Sequence, residues 1–103
     1  MKKLLLLLLL LPALAFGQPD FEETKALAEA GVDYAQHNLG FMYATGDGVP
    51  KNIQEAMKWY LLAADQGHPD SQNNLGMIYY NGEGVRQNYQ ESYSWYMKAA
   101  LQG

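Results

Sequence analysis

Two histidines, His37 and His68, and three serines, Ser71, Ser92 and Ser94, are the side chains best able to hold a metal or attack a substrate. The sequence equips none of them for it. A zinc site needs three or four nitrogen, sulfur or carboxylate ligands at short, characteristic spacing, and neither histidine has a partner at ligand spacing. His68 sits in Gly67-His68-Pro69-Asp70, which reads as a turn. The serines lack the glycine-flanked elbow that exposes a nucleophile. Gly46-Asp47-Gly48 lacks the third glycine and preceding strand of a phosphate loop and the further acidic ligands of a calcium loop, so it also reads as a turn. The chain has no cysteine, which excludes disulfides, thiol nucleophiles and thiolate metal sites. The expectation is therefore a protein that is not an enzyme, with no catalytic residue, no metal site and no cofactor.

Residues that do no chemistry must be there to build a surface, and the first question is which part of the chain builds it. Lys2 and Lys3 precede an unbroken apolar run from Leu4 to Leu11, ended by Pro12 and followed by the small residues Ala13, Ala15 and Gly17. That is the layout of a secretory signal peptide over residues 1–17, with cleavage near Ala15 or after Gly17. The run is short of the ~20 residues that span a bilayer, so no stable anchor is expected after cleavage. A secreted or periplasmic location follows. Removing Lys2 and Lys3 leaves five basic residues against eleven acidic ones, a net −6. Scattered acidic charge repels nucleic acid and anionic lipid, which excludes both as partners.

The rest of the chain repeats itself. Leu39-Gly40 recurs 36 residues later as Leu75-Gly76, Tyr43 as Tyr79, and Gly46 as Gly82. The same offset relates Gly48-Val49 to Gly84-Val85, Asn52 to Asn88, Trp59-Tyr60 to Trp95-Tyr96, and Ala63-Ala64 to Ala99-Ala100. So many rare residue types in one register define a repeat protein. Within a unit, Ala35, Leu39, Met42 and Tyr43 share one side of a helical wheel. Gly46 is placed to end that helix in the left-handed conformation. Asn52 with Glu55, and Asn88 with Glu91, form the start of a second helix by the capping-box pattern. That helix is apolar on two sides: Ile53, Met57, Tyr60 and Ala64 line one, Ala56, Trp59 and Ala63 the other. Gln54, Lys58 and Asp65 are left for solvent. Burial on two sides suits stacking between a partner helix and the next unit. Gly40, which costs about 1 kcal/mol inside a helix, is expected to admit a bulky neighbour such as Trp59. The Trp-Tyr pairs read as core, not as a platform for bases or sugars.

These residues resemble the Sel1-like repeat, a relative of the tetratricopeptide repeat. The first copy carries Ala35, Leu39-Gly40, Tyr43, Gly46-Asp47-Gly48-Val49, Asn52, Ala56, Trp59-Tyr60 and Ala63-Ala64. The second has Ser71, Leu75-Gly76, Tyr79, Gly82-Glu83-Gly84-Val85, Asn88, Ser92, Trp95-Tyr96 and Ala99-Ala100. Ser71 and Ser92 stand where the family has alanine and are expected to loosen packing slightly. Leu27-Ala28 and Gly31 resemble only a degraded second helix. The resemblance implies an all-α, right-handed α-solenoid of antiparallel helix hairpins. Its units are a partial repeat helix over 18–34, a first repeat over 35–70 and a second over 71–103. It also implies protein–protein adaptor roles on a concave surface lined by the first helices.

On the wheel, Tyr34, His37, Asn38, Phe41 and Ala44 lie opposite Leu39, with Asp70, Asn73, Asn74, Met77 and Tyr80 as equivalents. Aromatic and methionine side chains left exposed are the anchors that interfaces favour. Tyr34, His37, Asn38, Phe41, Asn73, Asn74, Met77 and Tyr80 are therefore the expected partner-binding residues, for a protein or peptide. Packing of Phe41 and Met77 against neighbouring helices satisfies the period equally well. A hydrolase of the cell-wall or β-lactam type is the competing class, but the family members assigned that activity resemble cysteine-rich chains. A third reading is a non-autonomous fragment of a longer array, since solenoids generally need about three units. On it, the outward side of the last helix, around Ser92, Trp95 and Ala99, lacks a cover and self-association or marginal stability follows.

Overall fold

A computed structural model describes residues 20–102. The signal segment expected over 1–17 lies outside the described residues, as does Gly103. The described residues form five helices and no strand: α1 (Phe21–Glu29), α2 (Asp33–Thr45), α3 (Ile53–Asp65), α4 (Pro69–Asn81) and α5 (Tyr89–Ala100). None is long and apolar enough to cross a membrane. Each helix packs chiefly on its neighbours in sequence. The pairs α2–α3 and α4–α5 are the hairpins, and α1–α2 and α3–α4 are the junctions between units.

The helix ends follow from their side chains. Asn52 Oδ1 accepts the Glu55 N–H at 3.1 Å, and Asn88 Oδ1 accepts the Glu91 N–H at 3.0 Å, so the asparagine half of each expected capping box is formed. Asp20 does the same for α1 through the Glu23 N–H at 2.8 Å. The cap N–H that Glu55 or Glu91 was to take goes to a carbonyl of the preceding helix. Gly46 and Gly82 end α2 and α4 with φ of +74° and +69°, a backbone region that penalises a side chain. The tight loop then returns: the Asn52 N–H donates to the Tyr43 carbonyl at 2.8 Å, and Asn88 repeats the bond to Tyr79 at 2.9 Å. His68 has a role the sequence did not announce. It is the N-cap of α4, its Nδ1 accepting the Ser71 N–H at 3.3 Å, with Pro69 in the first turn where a missing N–H costs nothing.

The core forms two clusters that share α3. Trp59 packs with Ala28, Ala35 and Leu39, tying α3 back to α1 and α2. On the next side of the same helix, Met57, Tyr60 and Ala64 meet Leu75 and Ile78 of α4 and Trp95 of α5. The two-sided helix expected from the sequence is thus present, with Gln54, Lys58 and Asp65 exposed. Burying each large side chain is worth roughly 1.5–3 kcal/mol.

Three expectations need correction. The neighbour that Gly40 admits is Tyr60, not Trp59: a Cβ on Gly40 would stand 2.7 Å from Tyr60 Cδ1. One residue along a helix turns about 100°, which sends Trp59 toward the preceding helices instead. Ser71 and Ser92 do not loosen the packing. Ser71 is fully buried with its Oγ 2.8 Å from His37 Nδ1, and the Ser92 hydroxyl donates to the Gly76 carbonyl at 2.6 Å. Ser92, Trp95 and Ala99 are buried, so they are not the uncovered side of α5. They match Ala56, Trp59 and Ala63, which face the hairpin partner and the preceding unit.

A buried amide relay runs along the stack. The Gln36 side chain donates to the Ala28 carbonyl at 3.2 Å, and Gln72 donates to Ala64 at 3.1 Å. Each is a second donor to a carbonyl at a helix C-terminus that already accepts a turn N–H, from Gly31 at 3.0 Å and from Gly67 at 2.9 Å. Each in turn accepts from a glutamine 30 residues on: Gln66 Nε2 reaches Gln36 Oε1 at 2.8 Å, and Gln102 Nε2 reaches Gln72 Oε1 at 2.7 Å.

Candidate interaction surface

The exposed sides of α2 and α4 are held parallel by that core. Leu39 and Leu75 are fully buried, which turns the residues opposite them outward. Tyr34, Phe41, Met77 and Tyr80 are all about half exposed, and Asn38 and Asn73 are exposed. His37 and Asn74 are half buried.

These residues do not form one site. Phe41, Asn74 and Met77 come together in a groove of about 200 Å³ between α2 and α4, floored by Ile53, Tyr60 and Ile78. Asn74 also bonds the Tyr60 hydroxyl, whose pKa burial pushes up to about 12 against that bond's opposing pull. His37 is turned into the junction. Its ring stacks on His68 with centroids 4.7 Å apart and tilts against Tyr60 at 5.5 Å, with Nδ1 bonded to Ser71. Burial and the neighbouring His68 hold its pKa below the ordinary value, with Asp70 pulling the other way. The two histidines that lack a partner in sequence are therefore each other's neighbours in space. Among the described residues, no group of three or more histidine, cysteine, aspartate or glutamate side chains is placed to hold a metal ion.

Tyr80 belongs to a different surface. Its ring lies 5.1 Å from that of Tyr89, and the two join Tyr93 and Tyr96 around a groove of about 540 Å³ at the C-terminal end. The sequence reading missed this cluster. The signal was available, because Tyr89, Tyr93, Tyr96 and Ala100 are the 36-residue equivalents of Ile53, Met57, Tyr60 and Ala64, the side that takes the next unit. A third, wider hollow of about 580 Å³ lies between α1 and α3, lined by Lys25, Lys51 and Lys58 with Glu29 and Glu55.

The Sel1 repeat model matches residues 33–68 and 69–103, most of the chain. The chain belongs to the Sel1 repeat family. Among its relatives, a Sel1-like repeat-containing protein of Acanthamoeba polyphaga mimivirus is 47% identical over 47 residues, 46% of this chain and 8% of that protein. The crystal structure of a Sel1 repeat protein from Oxalobacter formigenes superposes with a TM-score of 0.77 at 43% identity. It covers 81% of this chain and 34% of its own. A protective antigen of uropathogenic Escherichia coli with the same fold superposes at a TM-score of 0.81 and 42% identity, covering 84% of this chain and 18% of its own. This Sel1 chain therefore spans between 8% and 34% of the length of these relatives. Its all-helical solenoid is theirs, and Sel1 repeats generally mediate protein–protein interaction.

Proposed function

We propose that this Sel1 protein is an exported interaction module that binds a protein or peptide along the exposed sides of α2 and α4. The observation that carries the reading is the pairing of Phe41 and Met77. They stand at the same register of successive units, are 51% and 46% exposed, and flank one apolar groove. Half-exposed apolar anchors beside a groove are what a partner's side chains bury. Asn38 and Asn73 are exposed beside them, and an amide both donates and accepts, as a peptide backbone requires. Tyr34 extends the same exposed side of α2. The apolar run after Lys2 and Lys3 supports export to the periplasm or beyond.

The test is affinity capture from envelope extract with the wild-type chain and with Phe41→Ala/Met77→Ala. A partner retained by the first and lost by the second, with helicity unchanged, supports this groove. Equal retention by both places binding elsewhere. Fractionation of cells expressing the full chain checks export: protein confined to the cytoplasm would defeat that part of the reading.

A further inference from the structure

Both units that frame the groove between α2 and α4 are described, so its openness is a property of the regular stack. Volume is the first limit on what fills it. The space is about 200 Å³, walled by Phe41 and Met77 over Ile53, Tyr60 and Ile78. An apolar cavity of about 150 Å³ admits a benzene ring, so this one has room for a single aromatic side chain. The lining suits a ring, since Phe41 and Tyr60 are aromatic and the Met77 sulfur makes favourable aromatic contacts. The room exists because Ala44 is small; one unit later the same register holds Tyr80.

Charge is the second limit. Glu83 is the only charged side chain lining the groove, and its Oε1 accepts from Asn81 Nδ2 at 3.3 Å. Thr45 closes α2, and Glu83 follows the Gly82 that caps α4, so both helices end here. A helix C-terminus carries a partial negative charge, and neither last turn has a basic residue to offset it. The same lack runs the length of both helices. α2 and α4 contain no lysine or arginine, only Asp33 and Asp70, with Asp47 and Glu83 in the turns that follow. His37, the one titratable base on α2, is turned into the junction and held below its ordinary pKa. The cations stand elsewhere: Lys25, Lys58 and Lys98 on α1, α3 and α5, Lys51 and Arg86 in the loops that lead into α3 and α5. Lys25, Lys51 and Lys58 line the α1–α3 hollow instead. The charge is sorted by helix, and the side that offers apolar anchors is the side left negative.

An acidic segment would meet Glu83 and two helix C-termini head on. A purely apolar one would cover the carboxylate without giving it a partner, which is unfavourable. A cation beside the buried ring answers both. Resting on the α2–α4 reading above, we propose that the groove takes an aromatic side chain of a partner's peptide segment whose neighbouring residue is lysine or arginine. The ring lies between Phe41 and Met77, and the cation meets Glu83.

The experiment is a titration of the isotope-labelled chain, followed at the amide resonances of Phe41, Met77 and Ile78. The probes are three peptides with capped, uncharged ends: Ser-Phe-Lys-Ser, Ser-Phe-Glu-Ser and Ser-Ala-Lys-Ser. At low salt the Phe-Lys peptide should shift those resonances and bind at least ~5-fold more tightly than Phe-Glu, the scale of one exposed charge pair. The Ala-Lys peptide should leave them unmoved. Roughly 1 M salt should level the first two. Glu83→Gln keeps the acceptor for Asn81 and should level them as well, with Phe-dependent binding intact. Phe41→Ala/Met77→Ala should abolish both. Phe-Glu binding as tightly as Phe-Lys, or a preference for Phe-Lys that survives Glu83→Gln, would overturn the charge assignment while the groove reading stands. Groove resonances that move only with the protein's own concentration would assign the groove to a second copy and overturn the proposal. No shift at the groove with any peptide would remove the groove reading itself, and the proposal with it.

Discussion

Gly40 lies against the edge of the Tyr60 ring so closely that a Cβ would stand 2.7 Å from Cδ1, and Gly76 stands in the same relation to Tyr96 at 2.9 Å. The two contacts are alike in geometry but not in confinement. Tyr60 is walled in by α4, whereas Tyr96 has an open outer side.

Gly40→Ala should therefore destabilise the protein by about 1–3 kcal/mol, because the ring cannot retreat and overpacking outweighs the gain in helix propensity. Gly76→Ala should be near neutral, since Tyr96 can swing outward. Urea melts of the two variants decide the matter; equal costs would show that Tyr96 is as fixed as Tyr60.

Gln36→Met and Gln72→Met keep volume but remove the amide. Each removes the second donor to a carbonyl at a helix end, Ala28 or Ala64, which keeps its turn N–H from Gly31 or Gly67, and takes one acceptor from Gln66 or Gln102. A loss of about 0.5–1.5 kcal/mol is expected for each, read as a lower urea midpoint at unchanged slope. A cost below half a kcal/mol would mean that water replaces the amide.

His37 should make the fold sensitive to mild acid. Burial and His68 lower its pKa in the fold, against the opposing Asp70, with Ser71 and Tyr60 completing its surroundings. The unfolded chain then binds more protons at acidic pH. Stability is fully present above about 6.5, the unfolded value, and is lost as pH falls through it toward the lower folded one. Thermal melts should drop over that window, and His37→Gln should flatten the dependence.

At the alkaline end Tyr60 acts in the opposite direction of pH. Its folded pKa near 12 exceeds the ordinary 10, so the unfolded chain ionises first. Stability should fall as pH rises from about 10 toward 12. Tyr60→Phe removes the ionisable group, and its melting curve should be flatter across that range.

Phe41→Ala and Met77→Ala should each change stability by no more than about 0.5 kcal/mol, because both side chains are half exposed. If the groove is the binding surface, at least one should cost about 2 kcal/mol or more in partner affinity. A large loss of stability from either would make them core residues instead.

Much of this architecture was legible because the chemistry of helix ends and two-sided burial is local and repeats. Asn52, Asn88, Gly46 and Gly82 announce their helix boundaries by type alone, and the two apolar sides of α3 follow from a wheel. What was not legible depends on direction. A wheel shows that Trp59 and Tyr60 face different ways, but not which one meets Gly40. The same ambiguity put the uncovered side of α5 at Trp95 instead of Tyr93. Gln36 and Gln72 drew no reading at all, because nothing in a single sequence shows that a carbonyl from the preceding unit waits inside. His37 and His68 lie far apart in the chain, and only the junction turn brings them face to face.

The glutamine relay also makes the length of the protein a free variable. In each unit one bond reaches back to the unit before, Gln36 to Ala28 or Gln72 to Ala64, and one lies within the unit, Gln66 to Gln36 or Gln102 to Gln72, with the same donor, acceptor and spacing each time. Excising or duplicating a 36-residue block would rejoin a glutamine to an equivalent carbonyl, a glycine to an equivalent tyrosine ring, and leave no polar group stranded. Recombination between units can therefore lengthen or shorten such a gene in whole steps that keep these contacts in register. Only the terminal surfaces have no such insurance, and there the side chains must answer to what they meet.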